Sequence, residues 1–413
     1  MAEGIREARF LEVIRLASSK LAERRDSQPA HHSVTTGLRI RAQQSPEIIA
    51  PLIEHLLAIP ELKKMSSSWM YGFSRRSQLQ MNSTLIAAHL ASRSTGIPAE
   101  SALQELIDLA RSNSATARLT ALVAGVRVDE PLALADGLQI LPFRYDQLPA
   151  GVTSVRSRFP GGVVDKITPE PSGFLVWDFP YSPVFETASV NPDPFPEDKV
   201  DRLTSVANQL SVVSDHEVAV LEMWITANDD RLPGDLGWVT FRHPSWGSGP
   251  VFEAVHLDHE GAIEFLKQCD RFDRGKEWDT LELAMSRFNT SRRSVGAEDR
   301  AIDLGTVLEI LLMHRGSENT EMTFKLSTRG AWALEETFGG RTQVFEQIRD
   351  LYAKRSQAVH QGRLKAGGDP LEEFQTLEAG SLLVARLIRE IVARGGFPDW
   401  KTLVLGGGWK PAS

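Results

Sequence analysis

Cysteine occurs once in 413 residues, at Cys269, so the chain can form no intrachain disulfide and no thiolate zinc cluster. That usage predicts a reducing, cytoplasmic setting. Long apolar runs are missing as well. No stretch approaches the ~20 continuous apolar residues of a membrane helix, and no membrane partner is expected. The opening MAEGIREARFLEVIRLASSK mixes acids and bases with apolar side chains, which reads as an amphipathic helix and not a signal peptide. Basic charge is in the minority: 46 Lys and Arg face 54 Asp and Glu. A net charge of -8 excludes a protein that coats nucleic acid over its whole surface, but leaves room for a local basic site.

What is present has the proportions of a globular protein, with 42% hydrophobic and 24% charged residues. The chain is too long for one ordinary core, so two or three domains are expected. The texture predicts an α+β, multidomain organisation in three parts. Residues 1–115 read as a helical N-terminal region. In it, IPAESALQELIDLARSN starts with Pro98 in a first turn and repeats Leu103, Leu106 and Leu109 at helical spacing. Between helices sits SSSWMYGFSRR, where Trp69, Tyr71 and Phe73 stand beside Arg75 and Arg76. Such a group can stack on bases, although a loop pinned by its aromatics is the simpler expectation.

Residues 116–258 change character. ARLTALVAGVRV, LQILPF, GFLVWDF, HEVAVLEMWIT, LGWVTFRH and PVFEAVHL are short, rich in β-branched and aromatic residues, and separated by Gly, Pro, Asp and Asn. They predict a mostly antiparallel β domain, interrupted by the Pro-rich connection NPDPFPEDK. His256 and His259 lie beside Asp258 and Glu260, but two histidines with no third ligand at motif spacing make no zinc motif. No metal and no cofactor is expected.

Residues 259–413 return to helices. Trp278, Leu281, Met285 and Phe288 share one face; DLGTVLEILLMH is apolar nearly all round; TFKLSTRGAWALEETFGG is expected to stop at Gly339 and Gly340. TQVFEQIRDLYAKRSQAVH and LEEFQTLEAGSLLVARLIREIVARGG complete five helices with short connections, an all-α bundle. His314 is expected to cap a helix or lie on the surface.

Two residues break the bundle's pattern. Phe345, Ile348, Tyr352, Arg355 and Val359 recur at spacings that form one helix face, so Arg355 stands where an apolar residue belongs. A guanidinium keeps its charge, and burying it without a partner is costly. It needs a carboxylate, a subunit boundary or a ligand phosphate, whose oxygens its fork fits better than a lysine does. Glu309, flanked by Leu308 and Ile310, is the second anomaly and the obvious partner. A plain salt bridge and an orienting role are both open to it. His360 follows near the helix end, with Gly362 placed to terminate it. The helix dipole there favours a protonated ring, and imidazole can take a proton from a hydroxyl and return one to a leaving oxygen. Around them residues 341–365 hold six basic side chains against two acidic ones, a local excess in an acidic chain. Lys354, Arg363 and Lys365 are its candidate RNA contacts.

Taken in order, SRFNTSRRSVGAEDRAIDLGTVLEILLM, LSTRGAWAL and VFEQIRDLYAKRSQAVHQG resemble the successive helices of a HEPN domain of the Apea-like branch, over residues 270–395. The family pattern is an arginine, four to six residues, then a histidine, which maps onto Arg355 and His360. The position after the arginine is often asparagine; here it is Ser356. The family's glutamate in the first core helix corresponds to Glu309, with Tyr352 and Ser356 as further supporting residues. The resemblance implies a four- to five-helix bundle that forms a homodimer and sets two such motifs across a shared cleft. It implies a metal-independent endoribonuclease that cleaves RNA by 2'-hydroxyl attack, of the kind found in toxin modules and antiviral, abortive-infection defence. Residues 1–258 would then sense a phage or host trigger molecule or select an RNA. The alternative is a non-catalytic HEPN module that only binds RNA or protein. A tyrosine-modified branch of the family carries a tyrosine just after the histidine; Gln361 and Gly362 follow here.

Overall fold

The computed structural model describes residues 2–23, 46–71, 78–134, 137–144, 170–182, 185–186, 197–214, 216–233, 239–241, 254–272, 275–294, 296–314, 321–364 and 370–409. The chain begins with α1 (Ala2–Glu23), α2 (Pro46–Leu56), α3 (Pro60–Met65), β1 (Trp69–Tyr71), β2 (Gln78–Gln80), α4 (Ser83–Arg93) and α5 (Ala99–Ser112). Pro98 caps the start of α5 as expected, Leu103, Leu106 and Leu109 are buried, and Asn113 ends the helix at φ 50°. Trp69 and Tyr71, expected in a loop, lie on a strand that pairs antiparallel with β2. Phe73, Arg75 and Arg76 fall outside the described residues.

The central strands are β3 (Ala115–Ala124), β4 (Val126–Arg127), β5 (Leu132–Ala133), β6 (Leu138–Pro142), β7 (Pro171–Tyr181), β8 (Phe185–Glu186), β9 (Ala219–Ala227), β10 (Val239–Phe241) and β11 (Val255–His256). Six of them form one sheet in the order β10-β9-β3-β7-β6-β5, antiparallel at every pairing. The period of two sets its faces. Ala117, Leu119, Ala121 and Val123 point to one side, into a core shared with α1, α2, α4 and α5. Leu122, Ala124, Phe174, Val176 and Trp224 make a smaller cluster on the other side. The N-terminal helices and the sheet therefore bury a single core, and packing does not divide them near residue 115.

One element in this region departs from the expected all-strand pattern: helix α6 (Glu197–Val213). It begins within the last three residues of the Pro-rich connection, whose residues 191–196 lie outside the described set.

The C-terminal region comprises α7 (His259–Arg271), α8 (Lys276–Arg293), α9 (Ala297–Leu312), α10 (Met322–Leu334), α11 (Phe338–Gln361), α12 (Pro370–Ala393) and α13 (Trp400–Val404). Its core runs from Val212 to Leu403 and includes Trp278, Leu281, Met285 and Phe288, the face expected of α8. Gly339 and Gly340 do not stop α10; they open α11. The Thr337 hydroxyl accepts the Gly340 N–H at 3.1 Å, so the side-chain cap outweighs the glycines' tendency to end helices. His314 is neither exposed nor a cap: its ring stacks on Phe397 at 4.3 Å and lies 3.7 Å from Glu277.

Helix α11 is held by three others, each offering a glycine. A methyl at Gly305 of α9 would sit 2.3 Å from Arg355 Cγ, one at Gly330 of α10 2.1 Å from Ile348 Cδ1, and one at Gly380 of α12 2.8 Å from Leu351 Cδ2. The absence of side chains at these points lets α11 approach closely. Where sheet core and bundle meet, the contact turns polar. Ser211 of α6 donates to Asn289 Oδ1 at 2.6 Å and accepts the Val218 N–H at 2.8 Å, while Asn289 Nδ2 donates to Asn208 Oδ1 at 2.8 Å. Glu217, 3% exposed, pairs with Arg293 at 2.7 Å.

Candidate functional site

The buried line along α11 runs through Val344, Ile348, Leu351 and Ala358. With steps of four, three, seven residues it passes through Arg355, so the arginine does interrupt an apolar stripe. Val359, expected on that stripe, is 47% exposed, and Ala358 takes the inward place. Arg355 Nη2 lies 3.1 Å from Glu309 Oε1, with 24% of the arginine side chain and 27% of the glutamate side chain exposed. The pair sits at a solvent-accessible edge of the bundle, not in its centre.

Tyr352, one turn before Arg355, donates its hydroxyl to the same Glu309 oxygen at 2.6 Å. Arg355 also lies over the Tyr352 ring, its Cζ 5.4 Å from the centroid. Burial first, and then the hydrogen bond to the Glu309 carboxylate, push the Tyr352 phenol up to about 12. The phenol thus stays protonated and remains a donor at any physiological pH. Arg355 Nε is buried and has no hydrogen-bond partner among the described residues. A guanidinium with one nitrogen on a carboxylate, another unpartnered and a quarter of its side chain in solvent is not fully satisfied by the fold.

His360 is exposed in the last turn of α11. Gly362 ends that helix at φ 66°, in the left-handed conformation, with its N–H on the Ala358 carbonyl at 3.0 Å. The five residues from Arg355 to His360 turn through about 140° on an ideal helix, so the imidazole stands around the corner from the guanidinium, on the same end of α11. Ser356 is half-buried between them.

The basic segment is less free than its composition implies. Arg341 donates to the Glu335 carbonyl at 2.9 Å and stacks on Trp332, Arg349 pairs with Glu346 and Asp350, and Lys354, half-buried, lies 3.6 Å from Glu373. Lys354 is therefore engaged at the α11–α12 contact, with 23% of its side chain exposed. Arg363 is exposed and without an ion-pair partner among the described residues; Lys365 falls outside them. His256 has other neighbours. His256 Nε2 is 2.6 Å from Arg127 Nη2, which places a cation where a metal would have to sit, and its Nδ1 is 3.6 Å from Asp129. Among the described residues no group of three His, Cys, Asp or Glu side chains is arranged to hold a metal ion.

The sequence brought Glu309, Tyr352, Arg355 and His360 forward, and the first three meet directly. Gly305 was missed, since its part depends on where α11 crosses α9. No family model, no curated protein and no solved structure matches this chain. Among the described residues no helix is long and apolar enough to cross a membrane.

Proposed function

We propose that the chain is a metal-independent endoribonuclease of the HEPN type. The observation that carries this reading is a partly exposed Arg355, steadied by Glu309 and Tyr352, on the same helix end as an exposed histidine. In that chemistry Arg355 grips the scissile phosphate and stabilises its growing negative charge. His360 takes the proton from the ribose 2'-hydroxyl or returns one to the leaving 5'-oxygen. One copy supplies half a site, and two copies about a twofold axis supply a complete one. The 2'-hydroxyl attack leaves a cyclic phosphate and a 5'-hydroxyl. Residues 1–258 regulate the bundle, and the biological setting is a toxin or phage-defence effector in the cytoplasm.

The contact between Arg355 and Glu309 also favours a second reading, in which the pair only ties α9 to α11 and the bundle binds RNA or protein without cutting it. Incubating the purified chain with single-stranded RNA in excess EDTA separates the two. The endoribonuclease reading expects products with cyclic phosphate and 5'-hydroxyl ends, at an undiminished rate. Cleavage that disappears on chelation, or none from the dimeric wild-type protein, contradicts it.

A further inference from the structure

Arg355 is an unusual residue to pack against a neighbouring helix, and the manner of its packing is specific. Its Cβ, Cγ and Cδ all lie across Gly305: a methyl there would stand 2.7, 2.3 and 3.3 Å from them. Gly305 and Glu309 are one turn apart on α9, as Tyr352 and Arg355 are on α11, and the helices interlock through these four residues. The arginine's aliphatic stem crosses α9 in the gap above Gly305, and its head comes down on Glu309 one turn further along. Filling the gap must move the stem, because ordinary carbon contacts are about 3.5–4.0 Å.

We propose that Gly305 is a positioning residue for Arg355: it provides the notch that aims the guanidinium at the junction between Glu309 and solvent, where a phosphate would be received. The proposal rests on the endoribonuclease reading for its consequence, while the notch itself is a matter of packing. Its chemical sense is that a guanidinium works as a phosphate clamp only if its fork is fixed before the ligand arrives. Gly330 is a built-in control. It receives Ile348 of the same helix, a side chain with no part in the chemistry, and a methyl there would closely meet only that side chain's terminal Cδ1, at 2.1 Å.

The test is a thermal cycle on the full chain: wild type, G305A, R355A and the double variant, with G330A beside them. With Arg355 present, G305A lowers the melting temperature by at least about 1 °C, the shift expected for a cost of one hydrogen bond's size in a chain of 413 residues. With Arg355 replaced by alanine the notch is empty, and alanine, the better helix former, raises the melting temperature or leaves it unchanged. If G305A alone fails to fold while the double variant folds, the sign reversal is present in its strongest form. Equal losses in both backgrounds overturn the proposal. The second readout is RNA cleavage per folded molecule: G305A lowers kcat at least 10-fold with KM altered less than 3-fold, while G330A changes neither. A G305A protein with wild-type kcat and KM makes Gly305 a packing residue only and also overturns the proposal. Should the wild-type chain cleave no RNA, the endoribonuclease reading falls, and the thermal cycle still decides whether the notch aims Arg355.

Discussion

Polar side chains are buried in both halves of this protein, but to different effect. In the half built on the sheet, two examples are closely held. His89 of α4 is 8% exposed, and Asp229 receives both arms of Arg231 and the Thr116 N–H at 3.1 Å. In the bundle, Glu309 and Arg355 each keep about a quarter of their side chains in solvent, and Arg355 Nε lacks a hydrogen-bond partner among the described residues. The first arrangement is what architecture requires, since a buried polar group costs free energy unless it is bonded. The second leaves a charge for which a ligand can compete. Under the proposed function, that charge is the one a phosphate would meet.

Breaking the sealed side should cost most. Glu217→Ala removes a buried carboxylate that pairs with Arg293 at the junction of the two cores, and we expect about 3 kcal/mol of lost stability in urea unfolding. A loss under about 1 kcal/mol would show that the junction tolerates the loss of this ion pair. Acid should reach the same half through His89. Burial, and secondarily Arg93, hold its pKa down at about 4, against an ordinary 6.5. The unfolded chain therefore binds the proton more readily, and stability falls as pH drops from 6.5 towards 4, by at most about 3 kcal/mol. The difference between wild type and His89→Gln across that range measures the effect; parallel pH profiles would contradict it.

On the open side the stability effects are smaller. Tyr352→Phe removes one hydroxyl donor from Glu309 and should cost about 1 kcal/mol, read from the same urea midpoints. Its larger effect should be a several-fold loss of RNA cleavage, because Glu309 then holds Arg355 less firmly. An unchanged cleavage rate would remove Tyr352 from the supporting set. His360→Ala should change stability by less than about 0.5 kcal/mol, as befits an exposed side chain with no hydrogen-bond or ion-pair partner among the described residues.

How much of this was legible in the sequence follows from the same contrast. The long strands β3, β7 and β9 announce themselves as β-branched and aromatic runs, and the face of α8 as a regular apolar beat. Helix α6 does not, because its inward side carries Ser205, Gln209 and Ser211, which meet the polar junction and hide the helical period. Strands β1 and β2 are three residues each, too short to show an alternation. Gly339 and Gly340 mislead because a local rule about glycine yields to the cap at Thr337. Arg355 and Glu309 could be paired from sequence, since each interrupts an apolar helix and so needs the other. Gly305 could not, because the need for a notch arises only when two helices cross.

The most direct test of the functional account is made in cells, by mapping RNA 5' ends after inducing the wild-type chain and His360→Ala to equal soluble levels. The account predicts new 5'-hydroxyl ends with the wild-type protein and none above background with the variant. The same ends appearing in both would mean that the imidazole moves no proton in this protein.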